Sequence, residues 1–158
     1  MLKYIYFGLI LLIITGCGTK NTTVVLDPET IIVEKALKLR NDFENNIGHK
    51  VYFAFDSATL SNEAKSQLER QARWLVLHTN VIAKIEGHCD ERGAKAYNYA
   101  LGLRRADAAR KYLISLGVDE DRLSIVSYGK ERPEVREHNK NAWKLNRRAV
   151  SVVIIKVL

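Results

Sequence analysis

The sequence has few of the residues and motifs on which common enzyme and metal sites depend. It contains only two cysteines in 158 residues, so at most one disulfide can form within the chain. It has no H-x-x-x-H or C-x-x-C spacing, which leaves a metal site weakly supported. It also lacks a serine in a G-x-S-x-G motif, an internal repeat and a low-complexity tract. These absences favour an ordinary globular domain without a cofactor or metal.

The N-terminus carries an apolar run that is too short to cross a membrane. The run covers residues 4–14 and follows Lys3, whereas a spanning helix needs about 20 apolar residues. A cation, a short apolar run and small residues before a cleavage point are typical of a secretory signal. The sequence I-T-G-C, which ends at Cys17, also resembles a bacterial lipobox. We therefore predict a signal peptide at residues 1–16 and lipidation of Cys17, and Gly18 after the cysteine favours the outer membrane, facing the periplasm.

The two cysteines leave a question about the second one. If Cys17 is lipidated, Cys89 has no partner within the chain. A Cys17–Cys89 disulfide is the competing interpretation, but the leader in front of Cys17 favours lipidation. A lone Cys89 in an oxidising compartment is either protected by burial or available to a second molecule.

The net positive charge is compatible with an acidic partner but does not identify one. The formal net charge is +7, while 47% of the residues are hydrophobic and 27% are charged, as in ordinary globular proteins. Nucleic acid, an anionic membrane surface and an acidic cell-wall polymer all fit a basic protein. Acids and bases alternate along most of the chain, so a simply solvated basic surface fits equally well.

Local patterns divide the chain into a leader, a tether with one helix, and a domain. A helix begins at Asp27-Pro28 and ends at Gly48, and we expect it to pack on the domain that follows. Residues 17–48 are therefore predicted to form the lipidated tether and this helix. Residues 49–158 are predicted to form the domain.

Apolar periodicity predicts alternating strands and helices in the domain. Alternation predicts strands at 51–56, 81–87, 123–128 and 149–157, helical spacing predicts helices at 61–75 and 94–116, and 129–141 is predicted to be a polar loop. The last strand is apolar on both faces, which favours a central place in the sheet. The order strand, helix, strand, helix, strand, strand predicts an α+β sandwich with helices packed on a mixed four-stranded sheet.

One arginine interrupts the apolar face of the second long helix. Arg105 shares its face with Leu101, Ala109, Leu113 and Leu116. A guanidinium there loses hydration, so it needs a carboxylate or a ligand anion. One interpretation is a site for a zwitterion formed by Arg105 and by Asp90, which lies in the turn before this helix.

An internal salt bridge of Arg105 with Asp90 or Asp56 fits the same pattern. Asp56 follows the first predicted strand, and it can face the same cleft as Asp90 if both turns leave the sheet at one edge. Asp56 can equally be a turn or cap residue, and Asp90 can be an acid that favours the start of the helix.

Enzyme interpretations are less well supported. His88, Cys89 and Asp90 are adjacent, so at a strand end their side chains point in alternating directions and cannot hold one metal or form a nucleophile pair. The remaining alternative is a periplasmic glycan hydrolase that uses Asp56, Asp90 and Glu91 as acid and base. Any globular chain supplies such carboxylates by chance.

A set of motifs resembles the OmpA-like peptidoglycan-binding domain. The resemblance covers about residues 49–155. Within that family, the sequence is most similar to the peptidoglycan-associated lipoproteins of the Tol-Pal system. The motifs are V-Y-F-A-F-D-S (51–57), G-H-C-D-E-R-G (87–93), Y-N-Y-A-L-G-L-R-R-A (97–106), S-I-V-S-Y-G-K-E-R-P (124–133) and N-R-R-A-V (146–150).

The resemblance implies a module without catalysis that binds the diaminopimelate of the peptidoglycan stem peptide. In that family the carboxylate at the position of Asp90 meets the ammonium of this residue, and the arginine at the position of Arg105 meets its carboxylate. Leu101 matches an apolar wall, and Asn98 matches a position that braces the turn. The implied peptidoglycan-binding residues are Phe55, Asp56, Ser57, His88, Asp90, Asn98, Leu101 and Arg105.

The resemblance also implies partners and a cellular role. It implies an outer-membrane lipoprotein that links this membrane to the cell wall, contacts TolB, supports envelope integrity and cell division, and does not bind nucleic acid. A flagellar stator protein shares the domain type, but the lipobox and the lack of a membrane-spanning segment argue against that role. Cys89 departs from the threonine or alanine usual in the family, so oxidation or dimer formation becomes possible.

Overall fold

The computed structural model describes residues 27–156, in which a helix precedes a four-stranded sheet. The predicted signal peptide, the lipidation site Cys17 and the last two residues of the chain lie outside this range. The elements are α1 (Pro28–Asp42), continued by a π-helical turn (Phe43–Gly48), β1 (Lys50–Tyr52), α2 (Asn62–Leu77), β2 (Val81–His88), α3 (Lys95–Ser115), a 3-10 turn (Glu120–Arg122), β3 (Leu123–Gly129), α4 (Lys140–Asn146) and β4 (Arg148–Ile155).

The sheet is mixed, and its last strand is central. The spatial order is β1-β4-β2-β3. Strand β4 runs antiparallel to both β1 and β2, whereas β2 and β3 are parallel. This arrangement confirms the predicted mixed four-stranded sheet and explains why both faces of β4 are largely apolar.

Helices α2 and α3 cover one face of the sheet and enclose the core. The side chains with the least exposure include Leu68, Leu75, Val81, Ile85, Leu113 and Val153. Ser61 caps α2 by accepting from the backbone N–H of Ala64 at 3.2 Å. Helix α3 crosses β2 so closely that a side chain on Gly87 would collide with the carbonyl oxygen of Gly102. The close approach brings the turn after β2 against the first turns of α3.

Helix α1 begins as predicted, but only its end packs on the domain. Asp27 caps it by accepting from the backbone N–H of Thr30 at 2.9 Å. No side chain of α1 is buried, and apolar residues such as Val33 are about half exposed. Contact with the core comes from the half-buried Leu39 and from the fully buried Phe43 in the following turn.

The end of β1 and the segment before β4 differ most from the sequence-based expectations. Strand β1 ends at Tyr52 rather than continuing to Asp56, because the chain turns after Phe53 and Asp56 adopts a left-handed backbone with φ 51°. Helix α4, which was not predicted, begins inside the expected loop. Asn139 caps it by accepting from the backbone N–H groups of Asn141 and Ala142. A helix this short and polar shows little periodicity, so its cap is its clearest signal.

Candidate functional site

A cavity of about 160 Å³ opens where β2 ends. It lies between the turn after β1, the turn after β2 and the start of α3. Both turns therefore leave the sheet on one side, which is the condition under which Asp56 and Asp90 can face one cleft. The predicted site residues that line the cavity are Phe55, Asp56, Asp90, Asn98, Leu101 and Arg105.

The other two predicted residues take part through their backbones. Ser57 and His88 each provide a carbonyl oxygen to Arg105. The ring of His88 is buried against Tyr128, with ring centroids 5.5 Å apart, and does not line the cavity. Burial and the charge of Arg148 lower the pKa of His88 to about 4.

Arg105 is completely buried and is held by the backbone. Its Nε donates to the carbonyl of Ser57 at 2.8 Å, Nη1 to His88 at 2.8 Å and Nη2 to Ala54 at 3.1 Å. Within residues 27–156 it forms no ion pair with a carboxylate, so neither expected salt bridge, to Asp90 or to Asp56, is present. Burial lowers the pKa of this guanidinium. The cavity therefore contains a desolvated cation whose charge is not neutralised directly by any carboxylate of the described residues.

Asp90 lies on the same cavity and pairs with two other arginines. Arg92 binds both carboxylate oxygens, with Nε at 3.0 Å and Nη2 at 2.7 Å, and Nη1 of Arg147 lies 3.3 Å away. Burial raises the pKa of Asp90, but the hydrogen bonds and charge of Arg92 outweigh burial, so the pKa is lowered overall. Asp90 is therefore a buried carboxylate that stays ionised.

Arg92 is a cavity residue that sequence reasoning missed. Its guanidinium lies between two aromatic rings, 4.1 Å from the centroid of Phe55 and 4.2 Å from that of Trp143. Phe55 comes from the turn after β1 and Trp143 from α4. The motif G-H-C-D-E-R-G contains Arg92, but nothing in its spacing indicates that the side chain folds back onto Asp90.

Tyr97 is a second residue that was missed. Its hydroxyl donates to the carboxylate of Asp56, and both residues line the cavity. The bond holds the turn in which Asp56 has a positive φ. Because this turn supplies the carbonyls of Ala54 and Ser57, Tyr97 also fixes the surroundings of Arg105.

Asn98 and Cys89 join the turn after β2 to α3. The Asn98 amide donates to the carbonyls of Arg92 at 2.8 Å and Ala94 at 3.2 Å. The Cys89 thiol is buried and donates to the carbonyl of Asn98 at 3.3 Å, and burial raises its pKa. Of the two states considered for a lone Cys89, the described residues show the one protected by burial.

The three carboxylates of the hydrolase alternative do not all converge, because only Asp56 and Asp90 line the cavity. Glu91 does not line the cavity, because its carboxylate accepts from Nε1 of Trp143 at 2.7 Å and from Nδ1 of His138 at 2.5 Å. These hydrogen bonds lower the pKa of Glu91. A general acid needs a raised pKa, so neither Glu91 nor Asp90 has the expected property. No group of three or more metal-ligating side chains is found within residues 27–156.

Comparison with known proteins connects this geometry to a family. Residues 52–147 match the OmpA family over more than half of the chain. The chain belongs to the OmpA family. A peptidoglycan-associated lipoprotein of Rhizobium meliloti is 46% identical over 114 residues, which cover 72% of this chain and 65% of that protein. The match therefore spans slightly less than two thirds of that relative's length.

Solved structures of similar proteins share this fold. The crystal structure of the peptidoglycan-associated lipoprotein from Burkholderia pseudomallei is 38% identical, with a TM-score of 0.69, and the match covers 73% of this chain and 99% of that one. The C-terminal domain of Helicobacter pylori MotB is 24% identical, with a TM-score of 0.61, and the match covers 67% of this chain and 85% of that domain. At that identity MotB shows the shared fold alone.

Proposed function

We propose that this protein is an envelope lipoprotein that binds peptidoglycan non-covalently through the diaminopimelate of the stem peptide. Membership of the OmpA family and similarity to proteins named peptidoglycan-associated lipoprotein support the class of ligand. The side chain of diaminopimelate ends in an ammonium and a carboxylate, and the charged groups that line the cavity include a partner of opposite sign for each, Asp90 for the ammonium and Arg105 for the carboxylate.

The observation that carries the proposal is the state of Arg105. Three backbone carbonyls hold it, and it is fully buried without a carboxylate among the described residues. Carbonyl dipoles offset only part of the cost of burying a full charge. A ligand carboxylate in the cavity would supply the missing negative charge in a form that suits a guanidinium.

The proposal includes a second attachment point at the N-terminus. Lipidation at Cys17 would anchor the chain in the outer membrane, while the pocket binds the wall. The protein would then act in the Tol-Pal system, with TolB as a partner, in envelope integrity and cell division. The lipobox-like sequence and the named relatives support this part. Within residues 27–156, the helices are all too short or too polar to span a bilayer.

Binding without cleavage is part of the same proposal. Asp90, which lines the cavity together with Asp56, is ionised and paired with Arg92, whereas Glu91 is turned toward Trp143 and His138. The pKa values of Asp90 and Glu91 are both lowered, so neither carboxyl group is suited to act as the general acid.

The test compares two adjacent carboxylates in a sedimentation assay with purified, diaminopimelate-containing sacculi. Asp90→Asn removes the charge inside the cavity, and we expect at least about tenfold weaker binding from the loss of a charge-assisted contact. Glu91→Gln is the matched control and should bind as the original protein does. Thermal melting of each variant separates lost binding from lost folding.

Two results would contradict the proposal. Equal binding by folded Asp90→Asn would show that the cavity is not the site. Release of soluble muropeptides that stops in Glu91→Gln or Asp56→Asn would establish the hydrolase instead.

A further inference from the structure

The carboxylate of Asp90 is already saturated with hydrogen bonds from the protein. Oδ1 accepts from the backbone N–H and from Nε of Arg92, at 3.2 and 3.0 Å. Oδ2 accepts from Nη2 of Arg92 at 2.7 Å and from Nη1 of Arg147 at 3.3 Å. A carboxylate offers about four lone-pair positions. An ammonium that binds Asp90 must therefore replace one of these donors.

The side chain of Arg92 is the donor that can leave most easily. Arg147 is only 14% exposed, and its Nε also donates to the carbonyl of Phe53 at 3.0 Å. The Arg92 side chain is 35% exposed, and among the described residues its guanidinium donates to Asp90 alone. Its other contacts are the faces of Phe55 and Trp143 at the rim of the cavity. Moving Arg92 thus breaks no side-chain bond to the backbone.

We propose that Arg92 is an internal competitor for the cationic end of the ligand, and that it makes the pocket selective for a side chain that carries an ammonium and a carboxylate together. This inference rests on the proposed function. It assigns to Arg92 a role in specificity, in addition to the contacts of Asp90 and Arg105 with the ligand.

Counting ion pairs explains the selectivity. A ligand ammonium that takes Asp90 leaves Arg92 without a counterion. If the ligand also carries a carboxylate, this group forms a second pair with Arg105 or the released Arg92, so the exchange gains one ion pair. A lysine side chain brings only the ammonium, so its pair with Asp90 merely replaces the pair with Arg92 and no ion pair is gained. The pocket should therefore reject lysine-type stem peptides even though Asp90 attracts cations.

The experiment is calorimetric titration of the full chain in detergent with two synthetic peptides. The peptides are L-Ala-γ-D-Glu-meso-diaminopimelate and the same peptide with L-Lys as the third residue. Arg92→Met keeps an unbranched side chain between Phe55 and Trp143 but removes the guanidinium. We expect the lysine peptide to bind about tenfold more tightly to this variant than to the original protein. The diaminopimelate peptide should gain less, so selectivity falls.

Arg73→Met is the matched control. Arg73 is an exposed arginine of α2, away from the cavity, and its substitution removes the same formal charge. Both peptides should bind this variant as they bind the original protein. A carbon-13 titration of the Asp90 carboxyl group, without peptide, should show a higher pKa in Arg92→Met than in either other protein.

The possible failures are distinguishable. If neither the original protein nor Arg92→Met binds the diaminopimelate peptide, both the proposed function and the exchange are wrong. If both proteins bind it with the same preference over lysine, only the exchange is wrong. Loss of diaminopimelate binding in Arg92→Met alone would also overturn it, because Arg92 would then hold the ligand directly. An unchanged Asp90 pKa would show that Arg92 does not compete for this carboxylate.

Discussion

The two ends of β2 are each fastened by an arginine, but only one of these arginines lies in a cavity. At the carboxyl end, Arg105 donates to three backbone carbonyls, as described above. At the amino end, Arg122 does the same: Nε donates to Val81, and Nη2 donates to Leu75 and His78, each at 2.8 Å. Both arginines thus join a strand end to neighbouring segments of the chain.

The difference between the two ends lies in solvation. Arg122 is partly exposed, so water can solvate its remaining donors. Arg105 is fully buried, and a guanidinium has five N–H donors, so its donors and its charge depend on what enters the cavity. Three carbonyls make either arginine a structural link. Burial beside a cavity is what makes Arg105 a candidate for binding.

The largest expected effect is on sacculus binding, and it distinguishes Arg105 from Arg122. Arg105→Lys should abolish sedimentation with sacculi, because a lysine ammonium can neither reach three carbonyls nor present a planar fork to a carboxylate. Arg122→Lys should bind normally. We expect each substitution to lower the free energy of unfolding by about 1–3 kcal/mol, since each removes several hydrogen bonds of a charged donor. Chemical denaturation checks this.

A correlation between sacculus binding and stability would contradict a special role for Arg105 in binding. If Arg122→Lys loses binding in proportion to its stability, as Arg105→Lys does, then both arginines are only structural. Lysine is preferred to alanine at Arg105, because alanine would leave three carbonyls without their donor.

The next largest expected effect is on the pH dependence of stability, and it compares a histidine near each end of β2. The buried ring of His88 has no hydrogen-bond partner at either nitrogen among the described residues, and its Nε2 lies 3.9 Å from Glu86. At the other end, His78 stacks on Trp74 with ring centroids 3.9 Å apart, and its Nδ1 lies 2.7 Å from the carbonyl of Trp74. Burial and neighbouring positive charge make His88 resist protonation.

The fall in the pKa of His88 from 6.5 to about 4 makes the folded state sensitive to mild acid. Unfolded chains take up the proton near pH 6.5 and the folded chain only near pH 4, so stability is complete above pH 6.5 and falls as the pH decreases toward 4. Between pH 7 and pH 5, this one group should lower the free energy of unfolding by about 2 kcal/mol.

The measurement is urea denaturation at pH 7 and pH 5. His88→Gln should lose most of this pH dependence, whereas His78→Gln should keep it. The lowered pKa of Asp90 affects stability in a lower pH range. Its stabilising contribution is present above pH 3.8 and is lost only as the pH falls further. An equal slope in His88→Gln and the original protein would rule out the assignment to His88.

Sequence reasoning recovered the parts of this molecule that repeat along the chain. Periodicity predicted the long helices, three of the strands and the isolation of Arg105 on an apolar face. It placed the end of β1 too late, because alternating aromatic residues such as Phe53 and Phe55 suit both a strand and an extended turn. It could not find the bond of Tyr97 to Asp56, because contacts between segments distant in sequence leave no local pattern.

The same limit applies to the electrostatics of the site. The resemblance implied that Asp90 and Arg105 act on one ligand, and both line one cavity. Nothing in the sequence indicated that Asp90 pairs with Arg92 and Arg147 while Arg105 relies on backbone carbonyls. Those partners depend on the turn geometry after β1 and β2, which periodicity does not describe.

The smallest expected effect is on the affinity for the peptide, and it compares a tyrosine near each end of α3. The Tyr97 hydroxyl donates to Asp56 beside the cavity, and the Tyr112 hydroxyl donates to Glu69 of α2 at 3.1 Å. Tyr97→Phe should weaken binding of the diaminopimelate peptide roughly three- to tenfold, because it releases the turn that supplies two carbonyls to Arg105. Tyr112→Phe removes a similar bond and should leave binding unchanged. Calorimetric titration measures both, and equal affinities in the two variants would mean that Tyr97 does not position the turn.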